Sequence, residues 1–189
     1  MKQVAINGFG RIGRNVVRAL IETPRDDFKI VAINDLAPAE TAALLLELDS
    51  THGRLACEVS HGDDFLEVDG QRIAYMSHRD PEACAWGERG IDLVMECTGI
   101  FTSAEAATRH VEAGAGRVLV SAPSKGADAT IVYGVNHDSL TPEMRITPNA
   151  SSKTNCRAPV AAALDEPCGI TQGFMTPIHA YTGDQNLVD

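Results

Sequence analysis

The run Asn7-Gly8-Phe9-Gly10-Arg11-Ile12-Gly13 restricts the fold of this chain more than any other segment. It follows a short apolar run, Val4-Ala5-Ile6, with strand character. It precedes a segment, Arg11 to Leu20, in which Ile12, Val16, Val17 and Leu20 recur at helical spacing. Strand, Gly-x-Gly-x-x-Gly and helix in that order build a cradle for a dinucleotide pyrophosphate. Gly8 permits a tight turn, Gly10 leaves a phosphate unobstructed, and Gly13 lets the helix lie close to the strand. Backbone N–H groups at the helix start then face the anion, helped by the helix dipole.

A glycine-rich turn is common, and the segment that follows decides the reading. Lys29-Ile30-Val31-Ala32-Ile33 reads as a second strand, closed by Asn34-Asp35. Asp35 stands 22 residues beyond Gly13, close to the spacing of an acid that binds ribose hydroxyls. A carboxylate there accepts hydrogen bonds from the ribose and repels a 2′-phosphate, which favours NAD over NADP.

The chain has 189 residues, enough for one substantial domain or a domain with a further fragment, and 44% of them are apolar. A net charge of −10 argues against nucleic-acid binding, which needs a basic face. No apolar run approaches the ~20 residues of a membrane span, and Asn7, Arg11 and Arg14 interrupt any apolar signal segment. A soluble cytoplasmic protein is expected. Five cysteines, Cys57, Cys84, Cys97, Cys156 and Cys168, are too scattered for a disulfide framework. Most read as small buried residues in a reducing compartment. Without a Cys-x-x-Cys pair or His-Glu-x-x-His, no metal site is expected.

Further along, Thr41 to Leu48 reads as a helix with Leu44, Leu45 and Leu48 on one side. Phe65-Leu66-Glu67-Val68 and Arg72-Ile73-Ala74-Tyr75 flank Asp69-Gly70, a strong hairpin signal. Ile91 to Cys97 and Arg117 to Ser121 read as buried strands, and Ile131 to Val135 and Arg145 to Thr147 as further strands. Thr102-x-x-Glu105 has the form of a capping box, opening a helix that closes at Gly114. The alternation implies an α/β fold: a doubly wound, mostly parallel Rossmann-type sheet with an inserted hairpin. Its ligand crevice is expected at the carboxyl ends of the strands, where Asn34, Asp35, Cys97, Thr98, Gly99, Ser121 and Ala122 stand. Residues 1–150 are expected to form this domain, and 151–189 to start a second. There Ser151 or Ser152 can cap a helix from about Thr154 to Leu164, with Pro159 expected to kink or delay it. Gly169 to Tyr181 has strand character.

Together these segments resemble the phosphorylating glyceraldehyde-3-phosphate dehydrogenase family. The resemblance rests on Val4 to Arg14, Ala32 to Asp35, Asp49-Ser50-Thr51-His52-Gly53, Arg79-Asp80-Pro81, Glu96 to Thr102, Val120 to Pro123, Gly134 to His137, and His179-Ala180-Tyr181-Thr182 with Asp184-Gln185. It runs in one register from end to end, and erythrose-4-phosphate dehydrogenase shares it. It implies a homotetramer that oxidises a phosphorylated aldehyde: a cysteine attacks the carbonyl, hydride passes to NAD, and inorganic phosphate takes the acyl group, displacing the cysteine sulfur. It places Asn7, Gly8, Gly10, Arg11, Ile12, Gly13, Asp35, Arg79, Thr98, Gly99 and Ser121 at cofactor contacts. His179 falls on the base position, and Ser151, Lys153 and Thr182 on phosphate-contact positions.

The chain departs from this family at its centre of chemistry. The family motif Ser-Cys-Thr-Thr-Asn-Cys stands here as Ser151-Ser152-Lys153-Thr154-Asn155-Cys156. Serine therefore occupies the nucleophile position, and Lys153 replaces a threonine. An alcohol is a weaker acid than a thiol and needs a base during attack. Cys156 sits about one helical turn further on, roughly 6 Å along an axis, too far to stand in. The family's subunits are also longer than this chain, so the sequence leads one to expect an NAD-binding protein with little or no turnover, and an uncovered apolar face that limits solubility or meets a partner. A Ser152–His179 hydrolase is a weaker alternative, because no third group is evident to orient His179.

Overall fold

The computed structural model describes residues 1–127 and 129–178. Its elements begin with β1 (Lys2–Asn7), α1 (Arg11–Glu22), β2 (Phe28–Asn34), α2 (Ala39–Glu47), β3 (Leu48–Asp49) and β4 (Gly53–Arg54). There follow β5 (Val59–His61), β6 (Phe65–Val68), β7 (Gln71–Met76), β8 (Leu93–Glu96), α3 (Ala104–Glu112), β9 (Arg117–Val120), β10 (Ile146–Pro148) and α4 (Ser152–Cys168).

An eight-stranded sheet runs in the order β10-β9-β8-β1-β2-β7-β6-β5, and β3 with β4 forms a separate ribbon. β10, β9, β8, β1, β2 and β7 are parallel, whereas β6 runs antiparallel to β7 and β5 antiparallel to β6. The doubly wound sheet and the inserted hairpin expected from the sequence are both present. Asp69 and Gly70 form the hairpin turn with φ of 52° and 74°, the left-handed pair that a two-residue hairpin turn demands.

α1 lays Gly13, Val17 and Arg18 into the core, with Val16 and Leu20 half-buried, while Ile12 points outward. The α1 side of the sheet packs Val4, Ile6, Ile30 and Ile33 against Leu46 and Leu66; the other side packs Ala5, Ala32, Val94 and Ile91 around Trp86. The buried guanidinium of Arg18 donates to the carbonyls of Leu46 and Gly53, at 2.5 and 2.7 Å, and so ties α1 to the end of α2 and to the ribbon.

Five local expectations are corrected. In α2 the buried stripe is Ala39, Ala42, Ala43 and Leu46, and Leu44, Leu45 and Leu48 are exposed. These four fall at i, i+3, i+4 and i+7, and the small side chains of the three alanines bring this face close to the sheet. The cap of α3 is Ser103, whose hydroxyl accepts from the Ala106 N–H, rather than Thr102. Ile131 makes one bridge, to Asn149, and the chain then turns through Gly134 at φ 83° instead of continuing as a strand. α4 runs unbroken past Pro159. Proline removes one backbone bond there, and no residue of this helix is buried, so the freed carbonyl meets water. The described part of Gly169 to Tyr181, up to Ile178, is irregular, with no strand paired to it.

Of the cysteines only Cys84 is fully buried; Cys57 and Cys97 are half-buried, and Cys156 and Cys168 are exposed on α4. The expectation that most are buried fails chiefly at Cys156 and Cys168, because none of the described elements covers α4. No described helix is long and apolar enough to cross a membrane.

Candidate nucleotide-binding cleft

The turn between β1 and α1 is clamped by its neighbours. The Gly8 N–H donates to the Asn34 carbonyl at 2.8 Å, and the Cys97 N–H donates to the Asn7 carbonyl at 2.7 Å. Gly8 has φ of 92°, and a Cβ on it would fall 2.7 Å from the Thr98 nitrogen. A Cβ on Gly13 would press against the Gly8 carbonyl and the Ile6 side chain, so close helix–strand contact requires glycine. Gly10 instead borders open space, with nothing within 4 Å of where a side chain would start. That glycine is the N-cap of α1, no side chain caps the helix, and its first turn holds no acidic residue. The first-turn N–H groups of Arg11, Ile12 and Gly13 therefore retain the electropositive end of the helix for an incoming anion.

Asp35 belongs to the same place. Its Oδ2 accepts from the Phe9 N–H at 2.5 Å and its Oδ1 from the Ala37 N–H at 2.8 Å, which fixes the carboxylate beside the glycine turn. A cleft of about 370 Å³ opens here, at the carboxyl ends of β1, β2 and β8. Asn7, Gly8, Gly10, Asp35, Arg79 and Thr98 all line it. The structure thus brings together residues as far apart in sequence as Asn7 and Thr98, in a volume ordinary for a ligand site.

The other expected contact residues lie around this cleft. Ile12 reaches outward, so only its backbone faces the turn. The Arg11 guanidinium is held by Asp49, with Nη1 2.9 Å from Oδ2. Asp49 also accepts the Thr51 and His52 N–H groups at 2.8 Å, and these bonds, then Arg11, hold its carboxyl well below the usual carboxylate range. Gly99, at φ 75°, and Ser121 stand at their strand ends, outside the residues that line the cleft. Cys97 does line it, and burial pushes its thiol up to about 11, against a smaller opposite effect of Ser121. A thiol so far on the protonated side is disfavoured as a nucleophile at neutral pH.

Ser151, Ser152 and Lys153 begin α4. Ser151 is the cap, its hydroxyl accepting from the Thr154 N–H at 3.2 Å. Asn155 Nδ2 reaches back to the carbonyls of Ala150 and Ser151, at 2.8 and 3.1 Å, and so secures the helix start to the exit of β10. Because β10 is parallel to β9, α4 starts at the same sheet edge as the glycine turn. Ser152 and Lys153 are exposed and do not line the cleft. His179 and Thr182 lie outside the described residues. Among the described residues no cluster suited to a metal is present.

Sequence reasoning passed over the support behind the cleft. Glu96 is 1% exposed, and its carboxylate accepts from Asn7 Nδ2 at 2.6 Å and from the Thr98 N–H at 2.7 Å. An acid closing the apolar run Leu93-Val94-Met95 was the available signal: such a charge is buried only when it is fully hydrogen-bonded.

Residues 2–104 match the family model of the glyceraldehyde 3-phosphate dehydrogenase NAD binding domain, and residues 151–189 that of the family's C-terminal domain. The chain is 56% identical over 187 residues to the glyceraldehyde-3-phosphate dehydrogenase of Xanthobacter flavus, covering 99% of this chain and 56% of that protein. It is 54% identical to that of Cereibacter sphaeroides and 52% identical to that of Geobacillus stearothermophilus, at the same coverage of both chains. The chain thus spans little more than half the length of the curated relatives it matches.

Proposed function

Because the chain belongs to the glyceraldehyde-3-phosphate dehydrogenase family, we propose that it binds NAD in the cleft between the glycine turn and Asp35, and that it turns over little or no aldehyde. One observation carries the first half: the Asp35 carboxylate is bonded to the backbone of the glycine turn itself. That contact sets a ribose acceptor and a phosphate cradle side by side.

The residues present fit the cofactor. Open space at Gly10 and the uncapped start of α1 suit a pyrophosphate. Asp35 suits the ribose hydroxyls and opposes a 2′-phosphate. Asn7, Arg79 and Thr98 bring polar groups to the remainder of the cleft. Bound NAD would supply a hydride acceptor. Residues 1–150 would form this domain, and 151–189 the beginning of a substrate domain.

Serine at position 152 carries the second half. The relatives' names specify a phosphorylated aldehyde, and inorganic phosphate is the second substrate that the resemblance implies. At the nucleophile position the Ser152 hydroxyl would need its proton removed during attack, and His179 is the base that the family register offers. An oxygen ester formed there would pass its acyl group to phosphate less readily than a thioester would. A homo-oligomer is the expected assembly.

Isothermal titration with NAD and with NADP tests the cofactor reading; NAD is expected to bind more tightly, and tighter NADP binding overturns the role of Asp35. An absorbance assay at the NADH band, with glyceraldehyde 3-phosphate and phosphate, tests the rest. The unmodified chain should produce no NADH or produce it very slowly. Turnover of order 10 per second, typical of enzymes, would refute the inactive reading. If Ser152→Cys gains activity, the missing thiol is the dominant defect.

A further inference from the structure

Behind the cleft, one carboxylate gathers donors from separate elements. Glu96 Oε1 accepts the Thr98 N–H at 2.7 Å and also the Thr98 hydroxyl; Oε2 accepts Asn7 Nδ2 at 2.6 Å and lies 2.9 Å from His110 Nε2. His110 belongs to α3 and is completely buried. Its other nitrogen, Nδ1, is 3.0 Å from Trp86 Nε1. An indole N–H can only donate, so Nδ1 is the acceptor and Nε2 carries the ring proton. Trp86 thereby sets the tautomer in which His110 donates to Glu96. On its other side the His110 ring meets Phe101 edge-on, 5.8 Å between centroids, and Phe101 lines the cleft.

We propose that His110 is a positioning residue for cofactor binding: by fixing one Glu96 oxygen, it sets the orientation that Asn7 and Thr98 present to the cleft. This inference rests on the NAD reading above. The orientation of Asn7 is closed at both ends. Its Nδ2 is held by Glu96, and its Oδ1 accepts from Asn34 Nδ2 at 2.7 Å. Asn34 is in turn clamped to the backbone of His78, accepting the N–H at 2.8 Å and donating to the carbonyl at 2.9 Å. Removing the His110 N–H takes a bond from a buried carboxylate and leaves Oε2 held by Asn7 alone, with nothing on the α3 side to fix it. Asn7 and Thr98 then lose their common reference, although neither touches His110.

The test compares His110→Leu, which fills space without bonding, with His110→Gln, whose amide can still donate to Glu96. NAD affinity is measured by titration well below the thermal midpoint of each variant, and the midpoint is recorded without cofactor. His110→Leu should weaken NAD binding about tenfold, the effect of losing one bond to a charged group, while His110→Gln stays within about twofold of the unmodified chain. A purely structural role would lower the midpoint of His110→Leu and leave its NAD affinity unchanged, which overturns the proposal. Equal loss in both variants overturns it too. If His110→Leu does not fold, Glu96→Gln carries the test, because its amide NH2 must oppose either the Thr98 N–H or the donors of Asn7 and His110. About tenfold weaker binding supports the proposal and unchanged affinity refutes it. Failure of the unmodified chain to bind NAD is a separate result; it overturns the cofactor reading, and this inference with it.

Discussion

Asp49 shows how a side chain outside the cleft can control its rim. Its side chain is 5% exposed and takes two backbone N–H groups and the Arg11 guanidinium. Its folded-state pKa is depressed, below an unfolded value of about 3.9. The stability it gives is therefore fully present above that value and is lost as pH falls through the folded one. Asp49→Asn should lower the melting temperature at pH 7, and the gap from the unmodified chain should shrink as the pH is taken toward 2. A gap that stays constant would remove the charge from the explanation. The cysteines give a second residue-scale expectation. Burial raises Cys84 to about 12 and Cys97 to about 11, whereas Cys156 and Cys168 lie exposed on α4. Iodoacetamide at pH 8, followed by peptide mass mapping, should mark Cys156 and Cys168 first and leave Cys84 and Cys97 until the fold opens.

At the scale of elements, α3 offers a clean comparison. Ser103 caps it, so Ser103→Ala should cost about 1 kcal/mol in chemical denaturation, while Thr102→Ala should change stability by less than half as much. The sequence pattern Thr102-x-x-Glu105 is displaced by one residue from the cap that forms, because serine and threonine in succession offer the same chemistry at either position. Elements with strong local signals were legible from sequence: the glycine turn between β1 and α1, the Asp69-Gly70 hairpin, and the alternating strands and helices. Asp35 was legible too, since its spacing from Gly13 follows from one strand and one helix. What escaped depends on distant packing. Leucines 44, 45 and 48 look like a buried stripe until the alanine face of α2 meets the sheet. Ile131 to Val135 has strand composition but a glycine that turns the chain. The partnership of Trp86, His110 and Glu96 joins positions up to 24 residues apart and leaves no local pattern to read.

The whole molecule leaves apolar surface in view. Leu44, Leu45 and Leu48 are exposed near α2, as are Val160, Leu164, Phe174 and Ile178 in and beyond α4. On the sheet, Leu93 and Met95 are half-buried beside a groove of about 470 Å³ with Lys2, Asp92 and Arg117 at its rim. Such surface drives association, and a net charge of −10 opposes it. Sedimentation velocity should therefore show species that grow with protein concentration, and more so in added salt as repulsion is screened. A monomer at every concentration would contradict this. Trp86 is the chain's single tryptophan, sealed at 0% exposure against His110. The protein thus carries its own unlabelled fluorophore at the rear wall of the crevice. A shift of its emission to longer wavelength would time the moment at which that wall admits water, apart from unfolding elsewhere.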